Sequence, residues 1–367
     1  MLKRHKLWVV GFLTLICFPL IADLISRHGS PPLQENRVAT SESAKSSVRN
    51  QIFLYVRNYD SSFWGRGSLV KLYIHVFRDL FGISPLPQKL VLGKNGWVYL
   101  ADYGAMDDCR NVYPFSEQQL RKLSESLGNL CRNLKGKNIA MYIMVVPDKH
   151  SIYPEHLPDY VTKVHPFSRL DLLSEELKQH TSVRFLNLTD GLKRAKSDAA
   201  LYYKLESHWN DYGSYVGYHL LLTDMQREFP QIPLLPLSDC NLHDGIELDL
   251  DLAVMLGEGR EYSETTMRIT PRNIESIEAV APGISIPKSK QHRPDYVIKR
   301  VNQRLAAPKL LVFRDSYFVS MVPFIEQSFS EVTCVWSYHV DMSIVDRISP
   351  DIVLLEIAER HLDQLSK

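Results

Sequence analysis

Glu206-Ser207-His208-Trp209-Asn210 and, much later in the chain, Phe313-Arg314-Asp315-Ser316 hold an acid, an imidazole and a small hydroxyl nucleophile. These are the parts of serine acyl transfer: Ser316 as nucleophile, His208 as general base and Glu206 as the carboxylate that orients the imidazole. Glu206 and His208 stand two positions apart, so on extended backbone they point the same way, whereas on a helix they diverge. Extended, the carboxylate accepts from one ring nitrogen while the other faces the serine, which fixes the tautomer. Each residue also has a plain structural reading, with Ser316 as a helix cap and His208 as a surface histidine at a helix start. A metal site built on Glu206 and His208 lacks a third ligand at a helpful spacing, and the five cysteines form no CxxC or His/Cys cluster that would argue for zinc. No cofactor is expected.

Four further residues are candidates for substrate binding. Lys149 follows an apolar run ending at Pro147 and could meet an acidic sugar or hold a loop. Arg314 precedes the nucleophile by two positions and could steady negative charge or pair with an acid. Trp209 and Asn210 flank His208. Trp209, like Trp97, Tyr153 and Trp336, has the ring to stack on a sugar, although a core role suits each of these aromatics as well. Asn210, or Asp211 beside it, is also well placed to cap the helix that follows.

Positioning such a site calls for strands that end where these residues begin. Lys309 to Phe313 reads as a buried strand, which sets Ser316 at its carboxyl end and at the mouth of a helix expected over Val319–Phe329; backbone N–H groups there can stabilise an oxyanion. Ile139–Val146 is a second continuous apolar run. Val183–Leu188, Val332–Trp336 and Asp351–Ile357 complete the expected strands. Helical periodicity covers Ser116–Leu134 (Leu120, Leu123, Leu127, Leu130, Leu134, with Ser116 as N-cap), Phe167–His180 and Gly213–Phe229. The alternation predicts an α/β fold with a mainly parallel sheet covered by helices on both faces. Asn95-Gly96 between Leu90 and Leu100 predicts a hairpin, and about 240–307, mixed in charge and rich in proline, reads as an insertion of short strands and loops.

The N-terminus bears on the compartment. Lys3, Arg4, His5 and Lys6 precede an apolar run from Leu7 to Ala22. A cationic stub before such a run is a signal peptide or a membrane anchor, and Leu7–Ile25 reaches the 17–25 residues or so that a span needs. Residues 1–25 are therefore expected to be a cytoplasmic stub and anchor, 26–50 a linker, 51–89 an aromatic-rich helical arm and 90–367 the catalytic domain. In an oxidising space a disulfide is possible, with Cys109–Cys131 one candidate pair. The chain is 45% hydrophobic and 23% charged with formal charge +1, which gives no basic footprint for nucleic acid.

Five motifs stand in order along the chain: Gly93-Lys94-Asn95-Gly96-Trp97-Val98-Tyr99, Val145-Val146-Pro147-Asp148-Lys149, Tyr153-Pro154-Glu155, His208-Trp209-Asn210 and Asp315-Ser316-Tyr317-Phe318. With the closing Pro350-Asp351-Ile352-Val353 and Glu359-Arg360, they make the chain resemble the alginate O-acetyltransferase AlgJ/AlgX family from about Glu35 onward. That resemblance implies an SGNH-hydrolase-like (flavodoxin-like) domain on the periplasmic side of a bacterial inner membrane; the cationic stub, by the positive-inside rule, sets the N-terminus in the cytoplasm. It implies acetylation of exopolysaccharide hydroxyls by Ser316, His208 and Glu206. It also implies a membrane-bound O-acyltransferase that supplies acyl groups, and other polysaccharide-secretion proteins as partners.

Two positions depart from the family pattern: Glu206 stands where Asp is usual, and Arg314 where the nucleophile block usually has Gly. Glu fills the acid position in some serine hydrolases. A carbohydrate acetyl esterase would use the same triad with water as acceptor, and a non-catalytic polysaccharide-binding or scaffold subunit would keep only the fold.

Overall fold

The computed structural model describes residues 8–14, 17–18, 65–257, 259, 261–281, 283–291 and 293–366. Among these no helix is long and apolar enough to cross a membrane. Most of the expected anchor, all of the linker and the first part of the helical arm lie outside the described residues.

Two compact units divide the chain. The smaller contains a helix, Arg66–His75, that runs on into one π turn, Val76–Leu80, within the span expected to be helical; its other segment, 248–263, holds the short helix Asp251–Met255. The larger unit, 88–247 with 264–367, carries the sheet and the site.

That unit opens with the expected hairpin, β1 (Leu90–Leu92) against β2 (Val98–Leu100), turned by Asn95 and Gly96 at φ 58° and 78°. Only residues that tolerate the left-handed region fit such a turn, which is why Asn-Gly announces it. Helix α1 (Glu117–Lys135) starts at a capping box in which Ser116 and Gln119 bond each other's backbone. β3 (Ala140–Val146), α2 (Arg169–His180), β4 (Arg184–Asn187), α3 (Thr189–Ala195) and α4 (Asp211–Met225) follow. β5 (Cys240–Glu247) pairs antiparallel with β6 (Glu264–Pro271) as a separate ribbon. The remaining elements are β7 (Ile277–Glu278), β8 (Val297–Val301), β9 (Lys309–Arg314), β10 (Glu331–Trp336), α5 (Met342–Ile348) and β11 (Ile352–Ala358).

Among the described residues seven strands form the main sheet, in the order β4-β3-β11-β9-β10-β8-β7. The first five are parallel; β8 and β7 extend the sheet antiparallel. β3 shows why the parallel strands read as unbroken apolar runs. Tyr142, Met144 and Val146 enter one buried cluster, while Met141, Ile143 and Val145 enter the other. A strand covered on both faces has no polar side to alternate with.

Three expectations need correction. The span 240–307 is not one insertion, because β7 and β8 belong to the main sheet. β8 escaped notice because it is laced with charge: Lys299 pairs with Glu331 at 2.9 Å and Arg300 with Glu326 at 3.2 Å. The helix expected over Val319–Phe329 is a 3-10 turn, Tyr317–Met321, followed by one α-turn, Val322–Ile325. Pro323 stands in the first turn of that second piece, the one helical place where its missing N–H costs nothing. Cys109 and Cys131 are both free thiols, one buried in the short helix Ala105–Cys109 and the other half-buried on α1.

Candidate active site

β3, β11 and β9 lie side by side and parallel, so their carboxyl ends deliver Asp148, Glu359-Arg360 and Asp315-Ser316 to one edge of the sheet. That edge is where open α/β sheets gather ligands and reactive groups. Asp315 fixes the turn into Ser316. Its side chain accepts from Tyr317 N at 3.0 Å and from Ala358 N at 2.8 Å, and its own N–H donates to Glu356 Oε2 at 2.9 Å. Burial, and then the neighbouring Asp315 charge, push the Glu356 carboxyl well above the ordinary range, so it sits neutral in the middle of β11. Among the described residues nothing accepts from the Ser316 N–H, which leaves that donor available to an oxyanion.

His208 arrives from the connection between α3 and α4. Tyr202 and Trp209 form an isolated antiparallel bridge, and Asn210 N donates to Leu201 O at 2.9 Å. Asn210 caps α4 by accepting from Gly213 N at 2.9 Å, and its amide donates to Ala200 O at 2.7 Å. A Cβ at Gly213 would stand 2.2 Å from Leu201 O, so glycine lets the helix start close against this loop. His208 Nδ1 lies 2.5 Å from Glu206 Oε1, and His208 Nε2 lies 2.7 Å from Ser316 Oγ. With an acceptor-only carboxylate at Nδ1, that nitrogen carries the proton. Nε2 is then bare and accepts from the serine hydroxyl. The three residues thus form a continuous hydrogen-bonded chain, the arrangement that a serine nucleophile, a general base and an orienting acid require.

The loop bearing the acid and the base is clamped from two sides. Lys149 Nζ donates to the carbonyls of Tyr203 (3.2 Å), Lys204 (2.9 Å) and Glu206 (2.9 Å). Across the loop, the Glu264 carboxylate accepts from Lys204 N at 2.8 Å and Leu205 N at 2.6 Å. Below, the Tyr317 hydroxyl lies 2.9 Å from Ser207 O and 3.1 Å from Asp148 Oδ1, and its ring meets His208 edge-on at 4.8 Å. Burial alone would raise Asp148, but Arg360, aided by His150 and His361, holds it below the usual carboxylate range. Asp148 therefore stays an acceptor for Tyr317, whose phenol burial pushes well up and keeps neutral.

Ser316, His208 and Glu206 are brought together; the four expected substrate contacts are placed elsewhere. Lys149 is 3% exposed and occupied by carbonyls. Arg314 is fully buried, with its guanidinium on Asp295 and 5.0 Å from the Trp336 ring centroid. Trp209 is buried and donates its indole N–H toward Tyr317 O (3.0 Å) and Ser320 Oγ (2.7 Å). Asn210 is spent on the cap. All four are buried and engaged with the frame around the site. Polar residue type was visible in the sequence; burial was not. Glu264 went unnoticed, since no local signal marks an acid that reaches back sixty positions to a loop.

Replacing Lys149 by Met keeps the stem and removes the donor. Lys149→Met should destabilise the protein by about 2–4 kcal/mol, the cost of stranding buried carbonyls, as read from denaturant unfolding. It should also lower kcat on an activated ester roughly 10²-fold. An unchanged kcat would show that the loop holds itself.

A parallel α/β sheet with a reactive edge of this kind defines an SGNH-hydrolase-like protein. A family model described as "SGNH hydrolase-like domain, acetyltransferase AlgX" matches residues 90–286. The chain belongs to that family of acetyltransferases. The matched span includes Glu206 and His208 and ends before Ser316. The chain is 24% identical over 128 residues to the probable alginate O-acetylase AlgJ of Pseudomonas aeruginosa, a match covering 34% of this chain and 30% of that protein. It therefore spans less than a third of that relative's length. The Bacillus cereus PatB1 structure superposes with TM-score 0.57 at 15% identity, covering 76% of this chain and 98% of that one. A DHHW family protein from Eubacterium siraeum gives 0.50 at 15% identity, covering 74% and 94%. These two likenesses establish the shared fold.

Proposed function

We propose that the protein is an O-acetyltransferase that carries an acetyl group on Ser316 and passes it to a hydroxyl of an exopolysaccharide, alginate being the substrate class that the AlgJ relative suggests. The observation that carries the reading is the Glu206–His208–Ser316 chain at 2.5 and 2.7 Å. In the first half-reaction His208 takes the serine proton as Oγ attacks the acetyl carbonyl, and the protonated imidazole then gives that proton to the leaving group. In the second, His208 takes the proton of the sugar hydroxyl as that oxygen attacks the acetyl-serine carbonyl, and the imidazolium returns the proton to the departing Ser316 Oγ. Glu206 supports the imidazolium in both. The Ser316 N–H is the available oxyanion donor in both as well.

The same reading sets the protein at the periplasmic face of a bacterial inner membrane, held by an anchor within residues 7–25, with its N-terminus cytoplasmic. A membrane-bound O-acyltransferase would supply the acyl group, alongside other polysaccharide-secretion proteins. Support for this arrangement is the cationic stub and apolar run at the N-terminus.

Incubating the full chain with an activated acetate ester, with and without a uronic-acid oligosaccharide, tests the reading. Acetyl esters on the sugar are expected. Free acetate as the sole product in both arms would make the protein an esterase.

A further inference from the structure

Under the acyl-transfer site lies a second group of polar side chains that the reaction does not use directly. Asp108 comes from the short helix Ala105–Cys109, Asp148 and His150 from the segment after β3, and Glu359 from the end of β11. Each offers one potential ligand atom, and the four atoms lie within 4.8 Å of one another. All four residues are between 3% and 6% exposed.

Their hydrogen bonding is incomplete. Asp148 is fully engaged, with Oδ1 on Arg360 and Oδ2 accepting from Arg360 N at 2.9 Å. Asp108 spends Oδ1 on Arg169 Nε at 2.7 Å, while its Oδ2 is buried without a partner. The His150 ring makes no hydrogen bond among the described residues, and its buried Nε2 is likewise unpartnered. Glu359 is satisfied, accepting from Asp148 N at 3.0 Å through Oε2 and from the Ser151 side chain. Buried polar atoms are nearly always satisfied, so two orphans in one cluster call for a shared partner. A single cation with ligand bonds of about 2.0–2.2 Å holds its donors a few ångströms apart, which is the spacing seen here.

We propose that Asp108, His150 and Glu359, with Asp148 alongside, form a binding site for one divalent transition-metal ion. An imidazole with carboxylates suits zinc or manganese better than magnesium or calcium, which prefer oxygen alone. The ion would be structural. It would tie the ends of β3 and β11 to the helix Ala105–Cys109, behind the Asp148–Tyr317 contact that backs the His208 loop. No step of acetyl transfer passes through it, and the inference stands whether or not the acetyltransferase reading does.

The test uses the full chain, free of any affinity tag and stripped by a chelator. After dialysis against micromolar zinc or manganese, elemental analysis should find close to one ion per chain. The unfolding midpoint should rise by several degrees or so with metal and fall back with chelator. His150→Gln and Asp108→Asn should lose the bound ion and the metal-dependent shift. A wild-type chain that binds no ion and shows no shift with either metal overturns the proposal, whatever the variants do. Stoichiometric binding that survives both substitutions overturns it too, by placing the ion elsewhere.

Discussion

Ser316→Ala is expected to lower acetyl transfer by roughly four orders of magnitude or more, the usual consequence of deleting the nucleophile of a serine triad. The fold should hardly notice. Among the described residues Ser316 Oγ makes one side-chain hydrogen bond, to His208, and the turn around it is held by Asp315 and by backbone. The variant should therefore unfold at the wild-type denaturant concentration. Mass spectrometry of the wild-type protein mixed with an activated acetate ester should show one added acetyl group on the peptide containing Ser316, and the variant should show none. In cells, unchanged polymer acetylation by Ser316→Ala at normal protein levels would leave the protein as a scaffold or binding subunit.

The second large effect belongs to Glu206. Glu206→Gln keeps the size and removes the charge that steadies the imidazolium, so kcat/KM on an activated ester should fall roughly 10³–10⁴-fold. Glu206→Asp is the more informative variant. The acid's backbone cannot follow a shorter side chain, because the Glu206 carbonyl is held by Lys149 at 2.9 Å and the amides just before it by Glu264. Retracting the carboxylate by one methylene should therefore stretch the bond to Nδ1, with a loss of roughly 10–10²-fold. Wild-type rates in Glu206→Gln would mean that His208 is oriented by something other than this acid.

Much of the scaffold was legible because its strongest signals are dictated by burial. β3, β9 and β11 are sandwiched on both faces and must be apolar throughout; α1 and α2 carry both an apolar stripe and a capping box. Glu206, His208 and Ser316 were legible as residue types, and pairing Glu206 with His208 across two positions called for extended backbone. Yet residues 204–208 form bends and not a strand, so the loop's shape came from Lys149 and Glu264, which no local pattern announces. β8 was missed because charged side chains on an outer strand can pair with neighbours and stay half-buried. Lys149, Arg314, Trp209 and Asn210 each carried a structural reading beside the substrate-binding one, and their contacts are those of the structural reading. A polar or aromatic residue beside a reactive one looks the same in sequence whether it faces substrate or holds the frame.

The position of β11 has a consequence for how the chain can fold. The last strand in sequence lies between β3 and β9, not at an edge. Until residues 352–358 arrive, β3 and β9 have no common neighbour to hydrogen-bond, and the sheet exists as two unjoined pieces with unpaired inner borders. Contacts that must wait for so distant a segment are slow to form and leave sticky strand borders open in the meantime. Ser316 and the Asp148 support would remain on different pieces until that strand docks. A chain stopped short of residue 352 would thus lose the keystone of the sheet and the assembly of its reactive edge together.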